Sequence, residues 1–215
     1  MVGSNIHSDI STFSFHPVKS IASGEGGCIT TNSKKIFSKM NELKNHGIEK
    51  NLDKHWDYNI VSNGFNYRIS DINCALATSQ LNKINKFTLS RNKIAKFYLK
   101  KLKNLDNYLS FPKYSKNTYS CYHLMVVKIF FNKLKKNKDD FLAFMLKNNI
   151  FCQYHYKPIY NFKIYRQKIN KANFKGAENF YKNSLSLPIY YKLKNQKLNY
   201  INSKIIEFIN KYKKK

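Results

Sequence analysis

Polar and apolar positions alternate over residues 9–15, where Ile10, Phe13 and Phe15 stand among polar neighbours, and this period of two predicts a strand ending in the Pro17 turn. Residues 27–31 predict the next strand, and Gly24, Gly26 and Gly27 let the join turn tightly and approach a ligand closely. The period then lengthens. Asn32-Ser33 offers a helix cap, and Ile36, Phe37, Met40 and Leu43 follow at helical spacing towards a stop at Asn45-His46-Gly47. Residues 49–67 show no period, and a polar loop of that length inside a compact fold is more often functional than idle. Ser70-Asp71 caps a helix whose apolar positions Ile72, Leu76, Leu81, Ile84, Phe87 and Leu89 lead on to Ile94, Phe97 and Leu102. One helix of that length commonly bridges two structural units, and Pro112 marks a boundary beyond it.

In the second half, Tyr122 to Phe131 predicts a strand and Lys138 to Asn148 a helix capped by Asp139 or Asp140. A short strand over Ile150 to His155, a helix over Ala177 to Ser184 and a strand over Leu185 to Ile189 follow. The closing helix spans Asn195 to Tyr212, with Leu198, Ile201, Ile205, Ile206 and Ile209 on one side. Strands alternating with helices imply an α/β or α+β unit, and the basic tail from Lys211 to Lys215 reads as a solvated end.

Charge changes this picture less than its size suggests. The formal net charge is +27, the signature of a polyanion partner, yet only Arg68, Arg91 and Arg166 are arginines among 39 basic residues. Base-edge readout favours the bidentate arginine fork, so no nucleic-acid partner is expected. A basic surface still attracts nucleotide diphosphates through a field that salt screens. Cys28, Cys74, Cys121 and Cys152 are widely spaced among apolar neighbours and predict small buried side chains, not a disulfide framework or metal site. No apolar run is long enough for a bilayer and Met1 opens no signal peptide, so a cytoplasmic protein with no membrane partner is expected.

Lys19 stands apart from the other lysines. It follows Phe13, Phe15, Pro17 and Val18, an apolar setting that would desolvate an amine, lower its pKa and make it a better nucleophile toward carbonyls. The alternative is a solvated lysine at the mouth of a strand. Ser14 has a similar pair of readings, as a phosphate contact or an ordinary strand serine. His16 and Glu25 read either as contacts and orienting groups or as turn residues.

The run Phe13-Ser14-Phe15-His16-Pro17-Val18-Lys19, followed by Gly24-Glu25-Gly26-Gly27, resembles the cofactor-lysine segment of the DegT/DnrJ/EryC1/StrS sugar aminotransferases that use pyridoxal phosphate (PLP). The resemblance continues through Lys44-Asn45-His46-Gly47-Ile48, Gly64-Phe65-Asn66-Tyr67-Arg68-Ile69-Ser70-Asp71-Ile72, Gln153-Tyr154-His155-Tyr156-Lys157-Pro158, Gly176-Ala177-Glu178 and Ser184-Leu185-Ser186-Leu187-Pro188. Within the family, His16-Pro17-Val18-Lys19 is most similar to the enzymes that aminate a UDP-linked 4-keto-6-deoxy sugar on the route to pseudaminic acid.

What the resemblance implies is specific. Lys19 would be the Schiff-base residue and general acid/base, Ser14 a phosphate ligand, and Asn66 a phosphate ligand reaching across a homodimer interface. His16, Tyr67, Arg68, His155 and Tyr156 would line the substrate side, with L-glutamate the expected amino-acid donor. The implied fold class is α/β: the C-terminal part of a fold-type I aminotransferase, with 1–70 from the large PLP-binding domain, 71–110 a bridging helix and 111–215 a small C-terminal α/β domain. Family members place the aspartate that pairs with the pyridine nitrogen, and a ring-stacking aromatic, upstream of these motifs. Asp9 does not substitute, because it precedes a strand whose Ser14 and Lys19 already match their own positions. A sheet without its central strands is expected to expose apolar faces, leaving weak cofactor binding and no turnover in the isolated chain. The alternatives are a non-catalytic aminotransferase remnant or interaction domain, and amination of another UDP-4-keto sugar such as the 4-amino-arabinose precursor.

Overall fold

The computed structural model describes residues 2–54, 56–154, 156–165 and 171–214. Two compact units divide the chain, Met1–Asn85 and Lys86–Lys215.

The second unit contains the hydrophobic core. Its sheet is antiparallel in the order β5 (Leu109–Ser110), β6 (Met125–Ile129), β7 (Ser184–Leu187). Met125, Val127 and Ile129 are buried on one face of β6, the alternation that a half-covered strand requires. The α-helices described in this unit are α3 (Ile84–Lys101), which begins at the boundary, α4 (Lys138–Lys147), α5 (Lys175–Asn183) and α6 (Asn195–Tyr212). Tyr98 and Leu102 from α3 and its end, Phe141 and Met145 from α4, and Leu198, Ile205, Phe208 and Ile209 from α6 are all buried in one cluster with the strands. Phe208 meets Phe141 edge-on with ring centroids 5.0 Å apart. Within this interior the Tyr98 hydroxyl donates to Pro188 O at 2.9 Å. The Arg91 Nη1 donates to the carbonyls of Tyr122, His123 and Ile189 at 3.1–3.2 Å, and burial holds this guanidinium below the ordinary arginine pKa.

The first unit is built differently. β1 (Ser11–Ser14) and β2 (Gly27–Thr30) form an antiparallel ribbon, followed by α1 (Lys34–Leu43), a second ribbon of β3 (Ile48–Lys50) and β4 (Tyr58–Ile60), and α2 (Asp71–Leu81). Ser33 and Ser70 cap α1 and α2 by accepting from the amides of Ile36 and Asn73. Among the described residues of this unit, no apolar side chain is buried: the hydrophobic core cluster begins only at Ile94. The expected exposure of apolar faces is therefore observed, with Phe37 on α1 61% and Ile72 on α2 81% accessible.

Several local expectations change. The long helix from Ser70 to Leu102 is two helices, α2 and α3, because Asn82 and Lys83 turn back on the ends of α2, with Asn82 N on Thr78 O and Lys83 N on Gln80 O. β3 and β4 lie within residues 48–60, nearly all of which sequence reading assigns to a loop, since three-residue strands carry too few positions for a period. The cap of α4 is Asn137, not Asp139 or Asp140; Asp140 is the other half of a capping box. Residues 150–154 form no strand, only a bridge between Gln153 and Ser186. Cys28, Cys74 and Cys121 are exposed and Cys152 is partly covered, so apolar sequence neighbours did not bury them.

Candidate active-site wall

Ser14 ends β1 opposite Gly27, and the chain turns immediately beyond it. The Phe15 amide donates to Gly26 O and the Ser23 amide to Phe15 O, both at 2.9 Å, so the turn and the glycine loop lie back to back. Inside that frame, the His16 amide donates to Ser14 Oγ at 3.3 Å and the Lys19 amide to His16 O at 2.9 Å. The Val18 amide donates to His16 Nδ1 at 3.4 Å, which fixes that nitrogen as the unprotonated acceptor when His16 is neutral. Ser14, His16 and Lys19 are thus assembled by the backbone of a single turn.

Lys19 itself is half-buried, and its amine makes no hydrogen bond or ion pair among the described residues. Of the apolar neighbours that set this expectation, Phe13 and Phe15 are partly covered, whereas Val18 is 63% accessible. Glu25 contributes through its backbone. Its carbonyl accepts from Ser23 Oγ and Asn73 Nδ2, at 3.0 and 3.3 Å, while its exposed carboxylate stands 3.9 Å from His16 Nε2. An exposed pair at that distance contributes little.

The second cluster is a knit between two segments far apart in sequence. The amides of Phe65 and Tyr67 donate to the carbonyls of Leu43 and Lys44 at 2.8 and 2.9 Å, and the His46 amide returns a bond to Phe65 O at 3.0 Å. A Cβ on Gly64 would stand 2.1 Å from Gly47 N, so only glycine permits this approach. Glu42 braces the knit from the last turn of α1. Its carboxylate accepts from Lys39 at 2.6 Å and from Ser62 Oγ, and these bonds, Lys39 first, hold its pKa below the ordinary carboxylate value. Arg68 Nη1 donates to Asn45 Oδ1 at 2.6 Å, and the rings of Phe65 and Tyr67 stack with centroids 4.9 Å apart. Asn66 bridges to Asn45 through its backbone, leaving its exposed side-chain amide without a hydrogen bond among the described residues.

The clusters are joined by Asn73 Nδ2 on Glu25 O and by Ile69, whose Cδ1 lies 2.6 Å from where a Cβ on Gly26 would stand. The structure therefore gathers three separate sequence motifs into one unit, carrying Ser14, His16, Lys19, Asn66, Tyr67 and Arg68. Tyr156 belongs to the second unit, where it is 71% accessible, and His155 lies outside the described residues. Sequence reading missed Asn45, Glu42 and Asn73 as supports. Asn45 lay inside a quoted motif, but nothing in its neighbours announced a partner 23 residues away.

The DegT/DnrJ/EryC1/StrS aminotransferase family matches residues 1–206. This chain belongs to that family. A UDP-4-amino-4,6-dideoxy-N-acetyl-beta-L-altrosamine transaminase of Campylobacter jejuni is 34% identical over 206 residues, which cover 96% of this chain and 54% of that protein. Helicobacter pylori PseC, an aminotransferase involved in the biosynthesis of pseudoaminic acid, superimposes with a TM-score of 0.86 at 30% identity, over 95% of this chain and 54% of that structure. The fold also matches Streptococcus pneumoniae Spr1654 in its PLP-form, with a TM-score of 0.86 at 23% identity over 97% of this chain and 53% of that one. This family member spans about half the length of the curated relatives it matches, and its fold is a partial α/β fold. No helix among the described residues is long and apolar enough to cross a membrane.

Proposed function

We propose that residues 1–85 present one wall of a PLP site in an aminotransferase acting on a UDP-linked 4-keto-6-deoxy sugar of the pseudaminic acid type, with L-glutamate as amino donor. What carries the reading is the amine of Lys19, which makes no hydrogen bond or ion pair among the described residues and belongs to the same turn as Ser14, in a chain 34% identical to a UDP-sugar transaminase. PLP, when bound, supplies the electron sink that lets an amino group leave the donor and join the sugar carbon.

The residues present fit part of that group. Ser14 Oγ accepts from the His16 amide, so its own proton is free to donate to a phosphate oxygen, and the exposed Asn66 amide offers a second donor. Lys19 would hold the cofactor through its amine and would carry a proton to and from the reacting carbon. No carboxylate among these residues serves the pyridine nitrogen, so the wall is incomplete by itself. Asn66 acts across a homodimer interface, with Tyr67, Arg68, His16, His155 and Tyr156 on the substrate side. Residues 1–70 belong to the large domain, 71–110 bridge, and 111–215 form the small domain.

The test supplements this chain with polypeptide corresponding to the rest of the Campylobacter jejuni relative, then adds PLP and borohydride. A reduced adduct on Lys19, absent in Lys19→Ala, is expected by mass spectrometry; an adduct elsewhere, or one unchanged in that variant, defeats the assignment. The 215-residue chain alone should bind PLP weakly and turn nothing over, so vigorous transamination by it would refute the incomplete wall. Product identification from several UDP-4-keto sugars decides the substrate.

A further inference from the structure

Lys138 is the first residue of α4 and is only 9% accessible, although an ammonium at a helix N-terminus opposes the helix dipole and burial removes its hydration. Three interactions offset these costs. Its Nζ lies 4.0 Å from the Tyr181 ring centroid and 4.7 Å from that of Tyr154, and it donates to Tyr181 O. The two rings meet edge-on, 5.8 Å apart. No carboxylate forms an ion pair with it among the described residues. Burial pulls its pKa down, with Asp139 pulling weakly the other way. The cation is thus held by aromatic faces on α5 and on the segment that follows α4, and that segment is pinned on its other side by the reciprocal Gln153–Ser186 backbone bonds at 3.1 and 2.6 Å.

We infer that Lys138 is a positioning residue: by clamping Tyr154 against Tyr181 it fixes the backbone that presents Tyr156 to the nucleotide of the sugar substrate. The clamp stands on geometry, and its link to a nucleotide rests on the proposed placement of Tyr156 on the substrate side. Lysine suits the place because its unbranched stem crosses the end of α4 while the point charge sits between the rings. An uncharged stem of the same length keeps the packing and loses the attraction.

Amide exchange of the full chain separates the two parts. Lys138→Met should speed exchange at Gln153, Tyr154 and Tyr156 by about threefold to thirtyfold, the span of a partly desolvated cation–π contact. UDP affinity, measured with UDP itself as probe, should weaken by a similar factor, and Lys138→Arg should restore both. Phe144→Leu, which loosens the Phe144–Phe208 contact of 5.3 Å in the same unit, serves as the control and should leave those amides and UDP unchanged. Unchanged exchange in Lys138→Met, or equal effects in Phe144→Leu, overturns the clamp. Faster exchange with undiminished UDP affinity overturns its role toward substrate. Absence of UDP binding by the parent chain removes the nucleotide role together with the reading of Tyr156, while exchange still decides the clamp.

Discussion

Phe208→Ala tests the contrast between the two units most directly. Phe208 is 1% accessible, with ring centroids 5.0 Å from Phe141, 5.3 Å from Phe144 and 4.8 Å from Tyr212. Truncating such a ring removes its transfer energy and leaves a cavity that rigid neighbours fill poorly, a loss of about 3–5 kcal/mol. That is a large share of a domain stability of about 5–15 kcal/mol. Phe37 in α1 is 61% accessible, so its truncation should cost about 1 kcal/mol or less. Native-state hydrogen exchange is the assay, because core amides exchange through global opening and poorly covered ones through local opening. Amides of β6 and α6 should exchange about a hundredfold to several thousandfold faster in Phe208→Ala, each factor of ten being about 1.4 kcal/mol. Amides of α1 and the β1–β2 ribbon, which already open locally, should not change. If they accelerate in step with α6, the first unit shares the stability of the core and the reasoning fails. A change below tenfold in α6 would refute the packing argument itself.

Gly64→Ala places a methyl against Gly47 N and His46 C, at 2.1 and 2.5 Å, so the knit must part. NMR should show the amides of Phe65 and Tyr67 losing protection while those of α6 keep theirs; unchanged Phe65 and Tyr67 amides would contradict the close approach. The four thiols should divide under alkylation at pH 8, with exposed Cys28, Cys74 and Cys121 reacting ahead of Cys152, whose thiol burial pushes up to about 12. The same shift sets a pH dependence. The folded state keeps the Cys152 proton where the unfolded thiol, near 9, has lost it, so stability should fall as pH rises from 9 towards 12. Cys152→Ser should flatten that part of a urea-midpoint profile, and an unaltered slope would rule out this origin.

Much of the local structure is legible in the residues. Ser33 and Ser70 announce their helices, the closing helix appears at Asn195–Tyr212 as its apolar spacing predicts, and β1 and β2 flank the glycine loop as alternation requires. The family, whose model matches residues 1–206, is legible too, because motif order along the chain is a property of sequence.

What tertiary structure decides is everything that depends on covering and on partners distant in sequence. Apolar neighbours predicted a shielded Lys19 and buried cysteines, but shielding depends on what folds over a residue: Lys19 is half-buried, Val18 beside it is exposed, and three of the four cysteines are exposed. Asn45 meets Arg68, Glu42 meets Ser62 and Lys138 slips between Tyr154 and Tyr181 through contacts 16 to 43 residues apart, which no local period encodes. Sequence alone determined which short elements form and which chemical groups they carry. Only the packed chain determined which of those groups lie side by side, because burial and long-range hydrogen bonds are properties of the surroundings a residue acquires on folding.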